Sequence, residues 1–284
     1  MEQAATADDA RTHWQTMADG QRLYVRDWPC RDARHAVLLV HGLGEHSGRY
    51  EALARWFNAR GWAVRGYDQR GHGRTPGRRG ALRRAGDLPD DLAAVYRDYA
   101  ATLPRAPLLL GHSMGGLVAL RAVLDGGVAP PALVLSSPAL RAHTPRWLRR
   151  LARVLARALP DLPLHNGLPF AGISHDPQVV AAYRRDPLRT ALITPRLADF
   201  IFRAGAACID DAPRLRVPTL LLVAGSDRLV DPAGSRDFAD GAWATQRLTT
   251  RFFDTLYHEL FNEAEPGRGQ VLKQLGDWLA RAAA

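Results

Sequence analysis

LLLGHSMGG, residues 108–116, carries an apolar run straight into a serine flanked by glycines. Two demands produce such a stretch. A tight turn needs small residues, and a nucleophile needs to be held clear of its own backbone. Gly111-His112-Ser113-Met114-Gly115 matches G-x-S-x-G, in which the serine occupies a strained strand-to-helix turn and larger neighbours would collide. That turn requires a strand before it and a helix after it. Residues 107–110 read as a buried strand. Residues 115–124 read as a helix ended by Gly126-Gly127. A serine there sits at a helix N-terminus, where N–H groups and the dipole favour developing negative charge.

Working outward, the same alternation recurs. Strands are predicted at 23–28, 36–40, 63–67, 133–136, 218–223 and 251–253. Helices are predicted at 50–58, closed by Arg60-Gly61, at 90–103, stopped by Pro104, and at 271–279. "AVLLV" (36–40) is apolar throughout, as a strand covered on both faces must be. Strand and helix alternating at this spacing predicts an α/β fold, a mostly parallel central sheet with helices on both faces. The alternation stops between 140 and 212, which has no clear strand and reads as an inserted helical cap. It divides a core made of residues 1–139 and 213–284.

The chain has 284 residues, 46% hydrophobic and 24% charged, the balance of a globular protein. Its net charge is +9, carried almost wholly by arginine, with Lys273 the single lysine. The arginines are scattered and no aromatic-interleaved basic motif accompanies them, so no nucleic-acid partner is expected. Two cysteines make no disulfide framework. The N-terminal MEQAATADDARTHWQ lacks the basic and apolar blocks of an export signal, and no run is long enough to span a bilayer. A cytoplasmic protein is the expectation.

Serine at its free pKa is a poor nucleophile and requires a base. His258 lies just past the last predicted strand. Where a serine sits on such an elbow, the order along the chain is nucleophile, acid, histidine. Asp227 closely follows the apolar run 220–223 and is the preferred acid; Asp231 reads better as the cap of a helix opening at Pro232, and Asp254 is the weaker candidate. Two backbone N–H groups should face the oxyanion: Met114, after the nucleophile, and Leu43, in the loop His41-Gly42-Leu43-Gly44. One such donor is worth about 3 kcal/mol of transition-state stabilisation. His41 and His112 read as structural, and Arg70 to Gly73 as a loop shaping the site. His258-Glu259 does not continue into H-E-x-x-H, because position 262 is Asn. No metal or cofactor is required.

"HGLGEHSGRY" (41–50), "YDQRGHGRTPGRRG" (67–80), "GHSMGG" (111–116), "DPQVVAAYRRDPL" (176–188), "GSDRLVDP" (225–232) and "YHELFNE" (257–263) together resemble the monoacylglycerol lipase and lysophospholipase branch of the α/β-hydrolases, of serine aminopeptidase S33 type. The resemblance implies Ser113 as nucleophile, Asp227 as acid, His258 as base, and Leu43 and Met114 as oxyanion donors. It implies a serine ester hydrolase acting on a small lipid ester, a monoacylglycerol or lysophospholipid, through an acyl-enzyme. The other readings are a short-chain carboxylesterase and a non-catalytic receptor on the same fold. Leu43 stands where the resemblance implies a smaller residue, so its side chain is expected to narrow the pocket entrance.

Within the cap, Thr144 reads as an N-cap with Pro145 at the first helical position. Residues 147, 148, 151, 154, 155 and 159 are apolar at helical spacing, and 146, 149, 150, 153 and 157 are arginine. Such a helix either packs on the core with its arginines solvated or lies peripherally on an anionic membrane. The oligomeric state is not legible.

Overall fold

The computed structural model describes residues 10–282, so the first nine residues of the N-terminal stretch read above lie outside the described residues. Eight strands form one twisted sheet in the order β1-β2-β4-β3-β5-β6-β9-β10. They are β1 Arg11–Thr16, β2 Arg22–Trp28, β3 His35–Val40, β4 Trp62–Asp68, β5 Leu108–His112, β6 Leu133–Ser136, β9 Thr219–Ala224 and β10 Leu248–Phe253. From β4 to β10 all pairings are parallel; β2 runs antiparallel to both β1 and β4.

Side chains alternate across the sheet with period two. Leu38, Val40 and Leu109 enter one core, with α2 (Asp87–Ala101), α3 (Met114–Leu124), α6 (Pro195–Asp210) and α7 (Pro232–Ala242) over it. Val37, Leu39 and Leu110 enter the other, beneath α1 (Glu51–Asn58) and α8 (Gly267–Ala282). From β3 the chain goes to β4 on one side of it, and from β4 it crosses to β5 on the other. The strand order therefore reverses between β3 and β5, and the crevice at their carboxyl ends is where ligands bind in such sheets.

Several boundaries move. β1 was not predicted: its RTHWQT side chains are mostly exposed, so backbone pairing to β2 carries it without an apolar period. β10 begins at Leu248, because its half-buried Thr249 and Thr250 give no apolar run. α2 begins at Asp87, with Pro89 in the first turn, where a missing N–H is harmless. The Asp87 carboxylate accepts from the N–H groups of Arg83 and Arg84, at 2.7 and 3.0 Å.

Between β6 and β9 lie α4 (Arg146–Ala158), α5 (Pro177–Arg185) and α6. They are joined by a two-residue antiparallel ladder, β7 (Leu164–His165) with β8 (Leu192–Ile193). The expectation of no strand in this stretch is corrected by that ladder, which is too short to carry a pattern. Thr144 does not cap α4; Pro145 takes the cap position, and the Thr144 carbonyl accepts from Arg149 Nε at 3.0 Å. Among the described residues, no helix is long and apolar enough to cross a membrane.

Candidate active site

The turn after β5 is tight because glycine permits it. A Cβ on Gly115 would strike the carbonyl oxygens of Val40 and His41 at the end of β3, and one on Gly111 would lie 2.5 Å from the Gly115 oxygen. Ser113 sits at φ +52°, ψ −121°, a strained position for a residue with a side chain. Local hydrogen bonds hold it there: its N–H donates to Ser136 O at 2.9 Å, and its carbonyl accepts from Leu117 and Ala139, both at 3.0 Å.

Ser113, His258, Leu43 and Met114 line one cavity of about 140 Å³ at the carboxyl ends of the strands. Asp227 stands behind the histidine: His258 Nδ1–H donates to Asp227 Oδ2 at 2.6 Å, with both side chains almost wholly buried. Asp227 Oδ1 accepts from the N–H groups of Leu229 and Val230, at 2.8 and 2.9 Å. Burial opposes charge on both members. The His258 charge and its hydrogen bond more than offset this for Asp227, whose pKa is lowered. For His258, burial is outweighed by the charge of Asp227, with Glu259 and Glu45 adding to it, and the pKa is raised.

The competing acids lie elsewhere. Asp231 caps α7, accepting from Ala233 N–H at 3.0 Å. Asp254 offers its carbonyl to Ser226 Oγ at 2.8 Å. His112 has its ring centroid 4.7 Å from that of His258. Burial first, and then the neighbouring His258 charge, push its pKa down to about 4, so it stays neutral. His41 is structural: Nε2 accepts from Gln69 N–H at 2.9 Å, which leaves Nδ1–H to donate to Gly42 O at 2.8 Å. Arg70 pins the loop after β4 to α2 through Asp91, at 2.7 and 2.8 Å.

A buried charge cluster went unread in the sequence. Glu45 Oε1 accepts from Gly42 N–H at 2.5 Å and Tyr50 Oη at 2.8 Å, and Oε2 accepts from Arg49 at 2.8 Å. Burial works against the Glu45 charge, yet Arg49, the nearby histidines and the Gly42 N–H bring its pKa down to about 2. Arg49 also binds Glu259, the residue after the histidine. In the sequence the signal is only Glu45 and Arg49 four apart, with Glu259 far along the chain. With the Gly42 N–H taken, no acceptor among the described residues takes the N–H of Leu43 or Met114.

The stretch between β6 and β9 closes the cavity with Leu168, Ile193, Ile201 and Phe202. It is also stitched to the loop after β3. Thr190 N–H donates to Gly44 O at 2.9 Å, and His46 Nε2–H donates to Asp186 Oδ2 at 2.7 Å. Gly44, at φ +78°, lies so close that a Cβ would sit 2.7 Å from Thr190 O. On α4 no residue is fully buried, and Trp147, Leu148, Leu151 and Val154 are exposed beside the arginines, Trp147 by 66%. A solvated, purely basic outer face is therefore not what this helix presents.

Comparison with known proteins shows the family of the chain. The serine aminopeptidase, S33 family matches residues 31–265. A monoacylglycerol lipase of Mycolicibacterium smegmatis is 36% identical over 92% of this chain and 93% of its own. The crystal structure of a Paleococcus ferrophilus monoacylglycerol lipase superposes with a TM-score of 0.84 at 34% identity, over 92% of this chain and 99% of that one. A soluble variant of Saccharomyces cerevisiae monoglyceride lipase, solved with a substrate analogue, gives 0.88 at 21% identity over 99% and 98%, a likeness of fold.

Proposed function

Since the chain belongs to the serine aminopeptidase, S33 family of α/β-hydrolase fold, we propose that it is a serine hydrolase of monoacyl lipid esters, a monoacylglycerol or lysophospholipid. The observation that carries the proposal is the 2.6 Å His258–Asp227 contact behind an apolar cavity that also holds Ser113. His258 takes the Ser113 proton as the hydroxyl attacks the ester carbonyl, and Asp227 orients the imidazole and stabilises its cation. The N–H groups of Leu43 and Met114 meet the tetrahedral oxyanion. His258 then protonates the leaving alcohol, and a water that it activates releases the fatty acid. The relatives named monoacylglycerol lipase support this substrate class.

Residues 140–212 act as a cap over the nucleophile, and the exposed apolar residues of α4 rest on a lipid surface from which substrate enters. The compact cavity, about 140 Å³, favours a second reading in which short acyl chains are preferred. A hydrolysis panel separates the two, pairing monoacylglycerols and lysophospholipids with p-nitrophenyl acetate and decanoate. Preference for acetate over decanoate, with no turnover of the monoacyl lipids, overturns the first reading. A fluorophosphonate probe tests the nucleophile: wild-type labelling absent from Ser113→Ala is expected, and an unlabelled wild type overturns the assignment.

A further inference from the structure

A second cleft, of about 510 Å³, opens on the far side of the wall behind the catalytic histidine. One side is α5, which presents Pro177, Val180, Ala181, Arg184 and Arg185; the other holds His175, Arg228 and Tyr257. The wall is thin in sequence terms. Arg228 follows Asp227, Tyr257 precedes His258, and Ser174 follows Ile173, which lines the first cavity.

The charge in this cleft is one-sided. Arg184, Arg185 and Arg228 are exposed, and among the described residues none is paired with a carboxylate. The acids close by are already partnered. Glu263 has a side chain only 1% exposed. It is occupied by the N–H groups of His175, Tyr257 and Ala264, at 2.6, 2.8 and 2.8 Å. Glu263 also meets His175 Nδ1 and Ser174 Oγ, both lining the cleft, at 3.0 Å. Asp176 caps α5, accepting from Gln178 N–H at 2.8 Å.

Two of the guanidiniums are also held in place. Arg228 lies over the Tyr257 ring at 4.5 Å, and His175 stacks on the same ring at 3.6 Å. Arg184 lies over Phe170 at 5.3 Å. A guanidinium stacked through its face keeps its in-plane N–H fork free, and that fork matches phosphate oxygens in bidentate fashion. Like charges gathered from two sides of one cleft repel each other until an anion bridges them.

We propose that this cleft is an anion site that takes a phosphate group, gripped by Arg184 and Arg185 from α5 and by Arg228 from the loop after β9. The phosphate is either free or the headgroup of a lipid. Bound there, it joins α5 to the loops that carry Asp227 and His258. The site does not depend on the serine-hydrolase reading, and Ser113→Ala should bind phosphate as the wild type does.

The test uses the full chain. Inorganic phosphate and glycerol 3-phosphate are titrated calorimetrically against chloride at matched ionic strength. In a second arm, the chain is sedimented with phosphatidylglycerol or phosphatidylcholine vesicles. Saturable binding is expected, weakened about tenfold or more by Arg228→Gln and by the double change Arg184→Gln/Arg185→Gln. Arg228→Lys, which keeps the charge and loses the fork, should fall between. Each variant's melting in chloride checks its fold. Binding of the free anions identifies a soluble phosphate; vesicle binding alone, lost in the same variants, identifies a headgroup. No saturable binding in either arm, or binding that the variants leave unchanged, overturns the proposal.

Discussion

Arg49 grips Glu259 through two hydrogen bonds, 2.6 and 2.8 Å long, across 210 positions of sequence. This pair ties the loop after β3, which carries Leu43, to the loop that carries His258. Both side chains are nearly buried, and Arg49 also holds Glu45. Breaking such a pair strands a buried charge, at a cost of about 3–5 kcal/mol. Arg49→Met should lower the urea midpoint accordingly and reduce kcat more than it raises KM. Retention of full kcat would show that the two loops keep their relation without the pair.

Glu259 contributes to the raised pKa of His258. Glu259→Gln removes that negative charge, so the acid limb of kcat/KM should move to lower pH. A merely structural change would reduce the rate and leave the limb in place.

In the wild type the acid limb should have its midpoint above about 6.5, the ordinary histidine value, because the base works only when neutral and its pKa is raised. The linkage of His258 to stability runs opposite to its activity. The His258 contribution is complete below its unfolded pKa and lost as pH rises through the folded one. The contribution of Asp227, whose pKa is lowered, is complete above its unfolded pKa and lost as pH falls through the folded one. Asp227→Asn should lower kcat by about 10⁴-fold and bring the limb down. A pH profile unchanged in this variant would remove Asp227 from the site.

Leu43 lines the cavity with its side chain while its proposed role belongs to its N–H. Leu43→Ala should therefore raise activity on long acyl chains relative to short ones, with less effect on acetate. An equal loss on every chain length would mean that the substitution disturbs the donor itself.

Trp147 and Val154 are exposed by 66% and 59%, and an apolar side chain adds membrane affinity in proportion to the area it buries. The double change Trp147→Ser/Val154→Ser should weaken retention on vesicles and slow hydrolysis of dispersed monoacylglycerol. Turnover of a water-soluble ester should stay the same. Unchanged vesicle retention would leave α4 without a role at the lipid surface.

The parts of the fold read from sequence were those whose local chemistry demands one answer. Buried parallel strands must be apolar throughout, so β3, β5 and β9 stood out. The elbow needs Gly111 and Gly115, because a Cβ at either would meet backbone. The candidate acid and base read from the strand ends, Asp227 and His258, lie 2.6 Å apart. What stayed hidden depends on distance. β1 is held by backbone pairing with no apolar period, and the Glu45–Arg49–Glu259 cluster joins residues that only the fold brings together.

The close contact of Gly44 with Thr190 bears on how such enzymes diversify. A cap between two core strands suggests a replaceable module, to be exchanged between relatives in order to change what they accept. Here the segment between β6 and β9 shares a seam with the loop after β3: the Thr190 N–H donates to the Gly44 carbonyl at 2.9 Å, and Asp186 receives His46 at 2.7 Å. A grafted cap without matching partners at 186 and 190 would bring a foreign edge against the turn that presents Leu43. Swaps confined to α4, outside that seam, leave it intact. Changes on the outer helix leave this seam untouched, whereas changes at residues 44, 46, 186 or 190 reach the turn beside the cavity directly.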